Sequence, residues 1–192
     1  MGDFTFYLKL GWQHIISWDA FDHLLFIVAL SAIYLIDNWK QVLILVTAFT
    51  IGHSLTLALS VFDLVRVNSD WVEFLIPLTI VATAVFNLTL KGFAPANLRF
   101  NYLLALFFGL IHGLGFANTI RFMLSKDQQL LIPLLGFNIG LEVGQVFVVS
   151  TLLVASYLFA GTSLIRRKWW VWILSAIALC FGGFIAITRW PL

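Results

Sequence analysis

Long apolar stretches alternate with short polar turns along almost the whole chain. The first stretch runs from about 18 to 36 and stops at Asp37-Asn38-Trp39-Lys40. The second, about 41–62, gives way to a polar loop from Asp63 to Asp70, and the third, about 71–90, to Lys91-Gly92 and Pro95. The fourth, about 101–122, ends before Ser125-Lys126-Asp127, and the fifth, about 129–159, is long enough to tilt or to kink at Pro133. The basic turn Arg166-Arg167-Lys168 precedes the sixth, about 169–188. An α-helix crosses the hydrocarbon core with roughly 20 apolar residues, so each stretch predicts one crossing. Residues 3–17 mix Phe4, Phe6, Tyr7, Leu10 and Trp12 with Asp3, Lys9 and Gln13. That segment is too short and too polar to span and predicts a helix lying in the interface. The expectation is an all-α, polytopic membrane bundle of about six transmembrane helices plus an N-terminal interfacial helix, in one membrane-embedded domain.

Composition supports this picture. Of 192 residues, 61% are hydrophobic and 10% charged, against about 25% charged in soluble domains. Water does not tolerate so apolar an outer face, whereas a bilayer does. A net charge of +2 is no nucleic-acid footprint, and the single cysteine, Cys180, excludes an intrachain disulfide and a cysteine-based metal cluster. The tryptophans lie mostly near segment ends, as an interfacial belt places them. The N-terminus, with acidic Asp3 and no small-residue cleavage site, does not read as a secretory signal peptide.

Six crossings put both termini on one side, here side A. Basic residues divide almost evenly, and the compact turn at 166–168 favours side B as cytoplasmic, with the termini outside, in a bacterial inner membrane. Acids do not divide evenly: Asp3, Asp19, Asp22, Asp63, Asp70, Glu73 and Asp127 fall on side A, Asp37 alone on side B. The side A mouth is therefore expected to attract cations.

Within the apolar stretches a few ionisable groups stand out. Of four histidines, His14 lies in the interfacial segment, His23 at the start of the first span, His53 within the second and His112 within the fourth. Glu142 is the one acid deep inside a span. Such groups are costly in a membrane and mark sites facing the bundle interior. At 1.5 Å per residue, His53 and Asn138 lie roughly 14 Å from side A, His112 roughly 15 Å, Glu142 roughly 20 Å and His23 roughly 7 Å. Imidazole with carboxylate suits a divalent transition metal such as nickel or zinc. The candidate ligands are His23, His53, His112, Asp22, Glu142 and His14. Asp19, Ser54 and Asn138 are candidate outer-shell partners. Asn138, Glu142 and Gln145 share one helix face, and Thr79, Thr83 and Asn87 form a stripe read as packing glue. Glycines at 109/113 and 140/144 bracket His112 and Glu142 and predict close helix contacts.

The stretches His14-Ile15-Ile16 through Asp22-His23-Leu24-Leu25-Phe26, Phe49-Thr50-Ile51-Gly52-His53-Ser54, Ile111-His112-Gly113-Leu114-Gly115-Phe116-Ala117 and Phe137-Asn138-Ile139-Gly140-Leu141-Glu142 resemble the HupE/UreJ family, in its shorter second subgroup, over about residues 10–150. The resemblance implies a membrane protein accessory to hydrogenase or urease maturation, with nickel-permease activity in its better-studied members. It implies metal-passage roles for His14, Asp22, His23, His112 and Glu142. The spacing from His14 to Asp22 is longer here than in the permease pattern. Asn118 occupies the region where that pattern has its acid.

Three functions remain open on the residues themselves. One is a permease or facilitator for a divalent cation. A second is an intramembrane zinc-dependent hydrolase with Glu142 as general base. A third is an accessory protein stapled by its metal. The partners expected are the bilayer, the metal ion and metalloenzyme-maturation proteins.

Overall fold

A computed structural model describes residues 2–90, 98–124, 130–162 and 164–191. The turns expected at 91–95 and 125–127 lie outside the described residues. Among those described, seven α-helices follow in order: α1 Gly2–Ile16, α2 Phe21–Ser31, α3 Trp39–Val61, α4 Ser69–Thr89, α5 Leu98–Leu124, α6 Leu131–Ser156 and α7 Arg167–Thr188. A 3-10 turn at Trp18–Ala20 separates α1 from α2, another at Ile36–Asn38 leads into α3, and α6 runs on into a single π turn, Tyr157–Gly161. The protein is all-helical. Five of its helical segments are long and apolar enough to cross a membrane, and α1 with α2 supplies a sixth if that bent pair is one crossing.

The helix ends follow local chemistry. Asn68 caps α4 by accepting the Asp70 N–H at 2.8 Å, and Asp70 adds a negative charge to the first turn. α3 stops in a Schellman turn. Asp63 adopts φ 61°, its N–H reaches the Ser60 carbonyl at 3.0 Å, and the Leu64 N–H reaches Leu59 at 2.9 Å. Pro133 is the third residue of α6, where a missing N–H breaks no helical bond.

The amino-terminal crossing differs in form from the segment expected at 3–17 and the span expected at 18–36. The helical part of that span is α2, 11 residues long, and it meets α1 at 65°. α1 packs lengthwise and parallel to α6 rather than lying apart from the bundle. Phe4 meets Gly136, Leu8 meets Gly140 and Ile15 meets Gly144. A Cβ on Gly140 would land on the Leu8 carbonyl oxygen, and one on Gly11 on the Phe137 carbonyl oxygen. Bare backbone on both helices is what admits an otherwise polar α1.

α3 and α5 pair in the same way, also parallel. Gly109 abuts the Phe49 carbonyl, Gly113 the His53 carbonyl and Gly52 the Leu106 carbonyl, and Thr56 Oγ1 donates to the Leu110 carbonyl at 2.8 Å. Both glycine pairs singled out in the sequence thus sit at close helix contacts. α7 packs on α4, with Gly182 against Ile80. Phe26, Phe49, Phe137 and Leu141 fill the interior, while Phe107, Leu135, Phe147, Phe184 and Ile187 form part of the apolar exterior.

Candidate metal centre

The break between α1 and α2 turns two histidines toward the middle of the bundle. His14 ends α1 and His23 opens α2, and their rings stand 4.6 Å apart between centroids. His53 of α3 lies 6.3 Å from His14 and 5.9 Å from His23. One nitrogen from each of these three lies within 4.8 Å of the others. His112 of α5 adjoins them, 5.0 Å from His23. The shallower position expected for His23 does not hold: α1 covers it, and it shares a level with His112. His14, expected at the interface, is instead packed against Phe116 at 4.1 Å and Phe137 at 5.6 Å. With Phe26 and Phe49, these rings wall the histidines.

Hydrogen bonds set which nitrogen carries a lone pair in two of the rings, His23 and His112. Asp22 Oδ1 lies 2.9 Å from the His23 backbone N–H and 3.0 Å from His23 Nδ1. An ionised carboxylate only accepts, so Nδ1 holds the proton and Nε2 is left as a donor to a metal. Thr79 Oγ1 gives its single proton to the Ile76 carbonyl at 2.7 Å. Toward His112 Nε2, at 3.0 Å, it therefore accepts, and the lone pair falls on His112 Nδ1. His23 Nε2, His112 Nδ1, His14 Nε2 and both nitrogens of His53 are buried with no hydrogen-bond partner among the described residues. Buried polar atoms are nearly always paired. A concentration of inward-facing lone pairs fits a transition metal that takes imidazole. Nitrogens sharing one tetrahedral ion stand roughly 3.4 Å apart, so this trio is at the loose end of a ligand set.

A cavity of about 180 Å³ reaches the cluster. His14, Asp22, His23 and His112 line its inner part, and Glu73 and Arg189 its outer part. Both outer residues also line a polar cavity of about 510 Å³ between the start of α4 and the end of α7. The centre is thus approached from side A.

Glu142, Asn138 and Ser54 lie in a different place. Thr47 Oγ1 donates to Glu142 Oε1 at 2.7 Å, and Thr50 Oγ1 donates to Gln145 Oε1 at 2.7 Å. These bonds form a polar seam where α3 meets α6. Ser54 follows Thr47 and Thr50 on the same face of α3, and Asn138 precedes Glu142 on α6. Glu142 is outside the set of mutually close ligand atoms and does not line the side A cavity. Asp19 lies in the turn before α2, and its side chain is outside the described residues.

Three contributors escaped the sequence reading in their roles. Thr79, taken as packing glue, sets the His112 tautomer. Glu73, counted there only as a side A acid, and Arg189 line the approach. The signal for Thr79 was its position one helical turn from Thr83 on a polar stripe. Nothing in the sequence ties Arg189 to Asp22, which lies near the other end of the chain.

Comparison with curated proteins and with solved structures finds no match. The family model described as HupE / UreJ protein matches residues 1–189, a span that takes in all seven helices and every histidine of the cluster. On that coverage the chain belongs to the HupE/UreJ protein family.

Proposed function

We propose that this membrane protein binds a divalent transition-metal ion at His14, His23 and His53, with His112 adjoining, and acts as a permease or facilitator of the nickel type. The observation that carries the reading is the meeting, deep in an apolar bundle, of histidine nitrogens that have no other partner. Asp22 and Thr79 orient two of the imidazoles, as outer-shell groups do for metal ligands. Nickel is the metal of the resembled permeases; the nitrogen-rich donor set suits zinc and cobalt as well. Ions gather at the acid-rich side A mouth, pass Glu73 and Asp22, and reach the histidines. In this reading the termini lie outside a bacterial inner membrane, the 166–168 turn is cytoplasmic, and the metal serves maturation of a hydrogenase or urease. Elemental analysis of purified protein beside a His14→Ala/His53→Ala variant tests the site, and nickel loading of proteoliposomes tests passage. About one equivalent of metal in the wild type and little in the variant is expected; equal content in both removes the reading.

One observation favours the hydrolase alternative. The polar approach reaches the centre from side A, whereas the cavity toward side B, lined by Leu30, Ile33, Ala105 and Phe108 among others, is apolar. At the end of that approach the nearest acid is Asp22, which is committed to His23, and the further carboxylate in the same cavity is Glu73, not Glu142. A tightly held metal with no liposome loading supports this second reading.

A further inference from the structure

The mouth of the centre is held by a cation that belongs to the protein. Arg189 follows the last turn of α7, and its Nη1 donates to Asp22 Oδ2 at 3.3 Å. Asp22 is nearly buried, its side chain 11% exposed, and its other oxygen serves His23. The Arg189 side chain is 35% exposed, and the residue lines both the inner cavity and the outer one. A guanidinium never gives up its charge in a protein. A divalent ion arriving at His23 Nε2 therefore meets a fixed positive charge on the carboxylate that orients that ring, and the two repel.

We propose that Arg189 is a displaceable guard on the metal centre, held by Asp22 at rest and transferred to Glu73 when a divalent cation passes. The inference rests on the metal-binding reading above and adds to it the control of access. The tie to Asp22 is a single long contact rather than the bidentate fork that makes arginine–carboxylate pairs strong, so release is easy. Glu73 lines the same two cavities and offers a second carboxylate. Its backbone carbonyl is also free of the usual helical donor, because Pro77 has no N–H to return to it. The main chain at this point stays fixed. The Arg189 N–H bonds to the Ile185 carbonyl at 3.0 Å, and Trp190 packs edge-on against Phe74 at 5.0 Å. Only the side chain has to swing, from α2 toward α4.

The test is the rate of cobalt(II) binding to purified full-length protein in detergent, read by stopped-flow visible absorbance, with the equilibrium affinity measured alongside. Circular dichroism verifies that each variant is folded. Arg189→Gln should bind cobalt about tenfold faster than wild type, the scale on which local charge alters association rates. Arg189→Lys, which keeps the charge, should stay near wild type, and Glu73→Gln, which removes the receiving carboxylate, should bind more slowly. If Arg189→Gln binds at the wild-type rate or slower, or loses affinity without binding faster, Arg189 merely positions Asp22 and the guard is overturned. Absence of cobalt binding by the wild type itself overturns the metal reading and the guard together, so the two failures are separable.

Discussion

Two polar regions lie at similar depth in this bundle and are built on opposite principles. In the seam between α3 and α6, hydroxyls of Thr47 and Thr50 donate to Glu142 and Gln145. Each hydroxyl meets an acceptor and two helices are held together, while Glu142 Oε2 and Asn138 Oδ1 stay buried with no hydrogen-bond partner among the described residues. In the cluster at the α1–α2 break, groups of one kind face each other, and five imidazole nitrogens have no partner among the described residues. Such a collection satisfies nothing by itself and makes sense as a set of ligands. Depth in the membrane does not distinguish the two regions. The direction each residue faces around its helix does.

The contrast can be broken most directly by removing ligands. His14→Ala/His53→Ala is expected to lower metal affinity by roughly a hundredfold or more, the upper end of what loss of even an outer-shell partner does. Glu142→Gln is expected to leave it unchanged. Isothermal titration with nickel and zinc on both proteins decides it, and equal losses would merge the two regions into one site. Gly113→Leu should come next. It alters no ligand side chain, yet it drives a new side chain into the His53 backbone carbonyl where α3 meets α5, an overpacking that costs about 1–3 kcal/mol. Both thermal midpoint and metal content should fall, and retained metal would show that the helices can part without disturbing His53 and His112.

A smaller effect is expected from Thr79→Val, which takes away the acceptor that holds the proton on His112 Nε2. Metal affinity should drop roughly tenfold to a hundredfold, with recovery in Thr79→Ser, whereas the matching change in the seam, Thr47→Val, should have no effect on it. Acid should strip metal from the wild type, because ligation needs neutral imidazoles and protons compete for the same lone pairs. Affinity therefore falls as pH is lowered, and Glu142→Gln should follow the same curve. The smallest change is expected from Thr50→Val. Loss of one interhelical hydrogen bond to Gln145 costs about 0.5–1 kcal/mol and should appear in denaturation alone, with metal titration as in the wild type.

How much of this was legible follows from the same distinction. Length and hydropathy report crossings, so α3 to α7 stand where the apolar stretches put them. Counting residues from a span end reports depth, which is why the sequence alone pairs His53 with His112. It does not report azimuth, so Glu142 entered the ligand set, and Asn138 the outer-shell set, although Glu142 and Gln145 on that helix meet Thr47 and Thr50. The break at 17–20 was hidden for another reason. The residues around it are apolar enough to read as the start of a span, while the force that draws α1 inward comes from Gly136, Gly140 and Gly144 on a distant helix. The family resemblance named His14, Asp22 and His23 together, which local counting alone had placed at different levels.

The broken first crossing has a consequence for biogenesis. Neither α1, with 15 residues, nor α2, with 11, reaches the roughly 20 residues that a helix needs to span alone. The surface that receives α1 is the glycine face of α6, made five helices later. His14 can take its final place only after most of the polypeptide has been synthesised and inserted. A chain truncated before α6 would carry His23, His53 and His112 and still lack the docking groove for His14, so assembly of the centre reports that synthesis has passed α6.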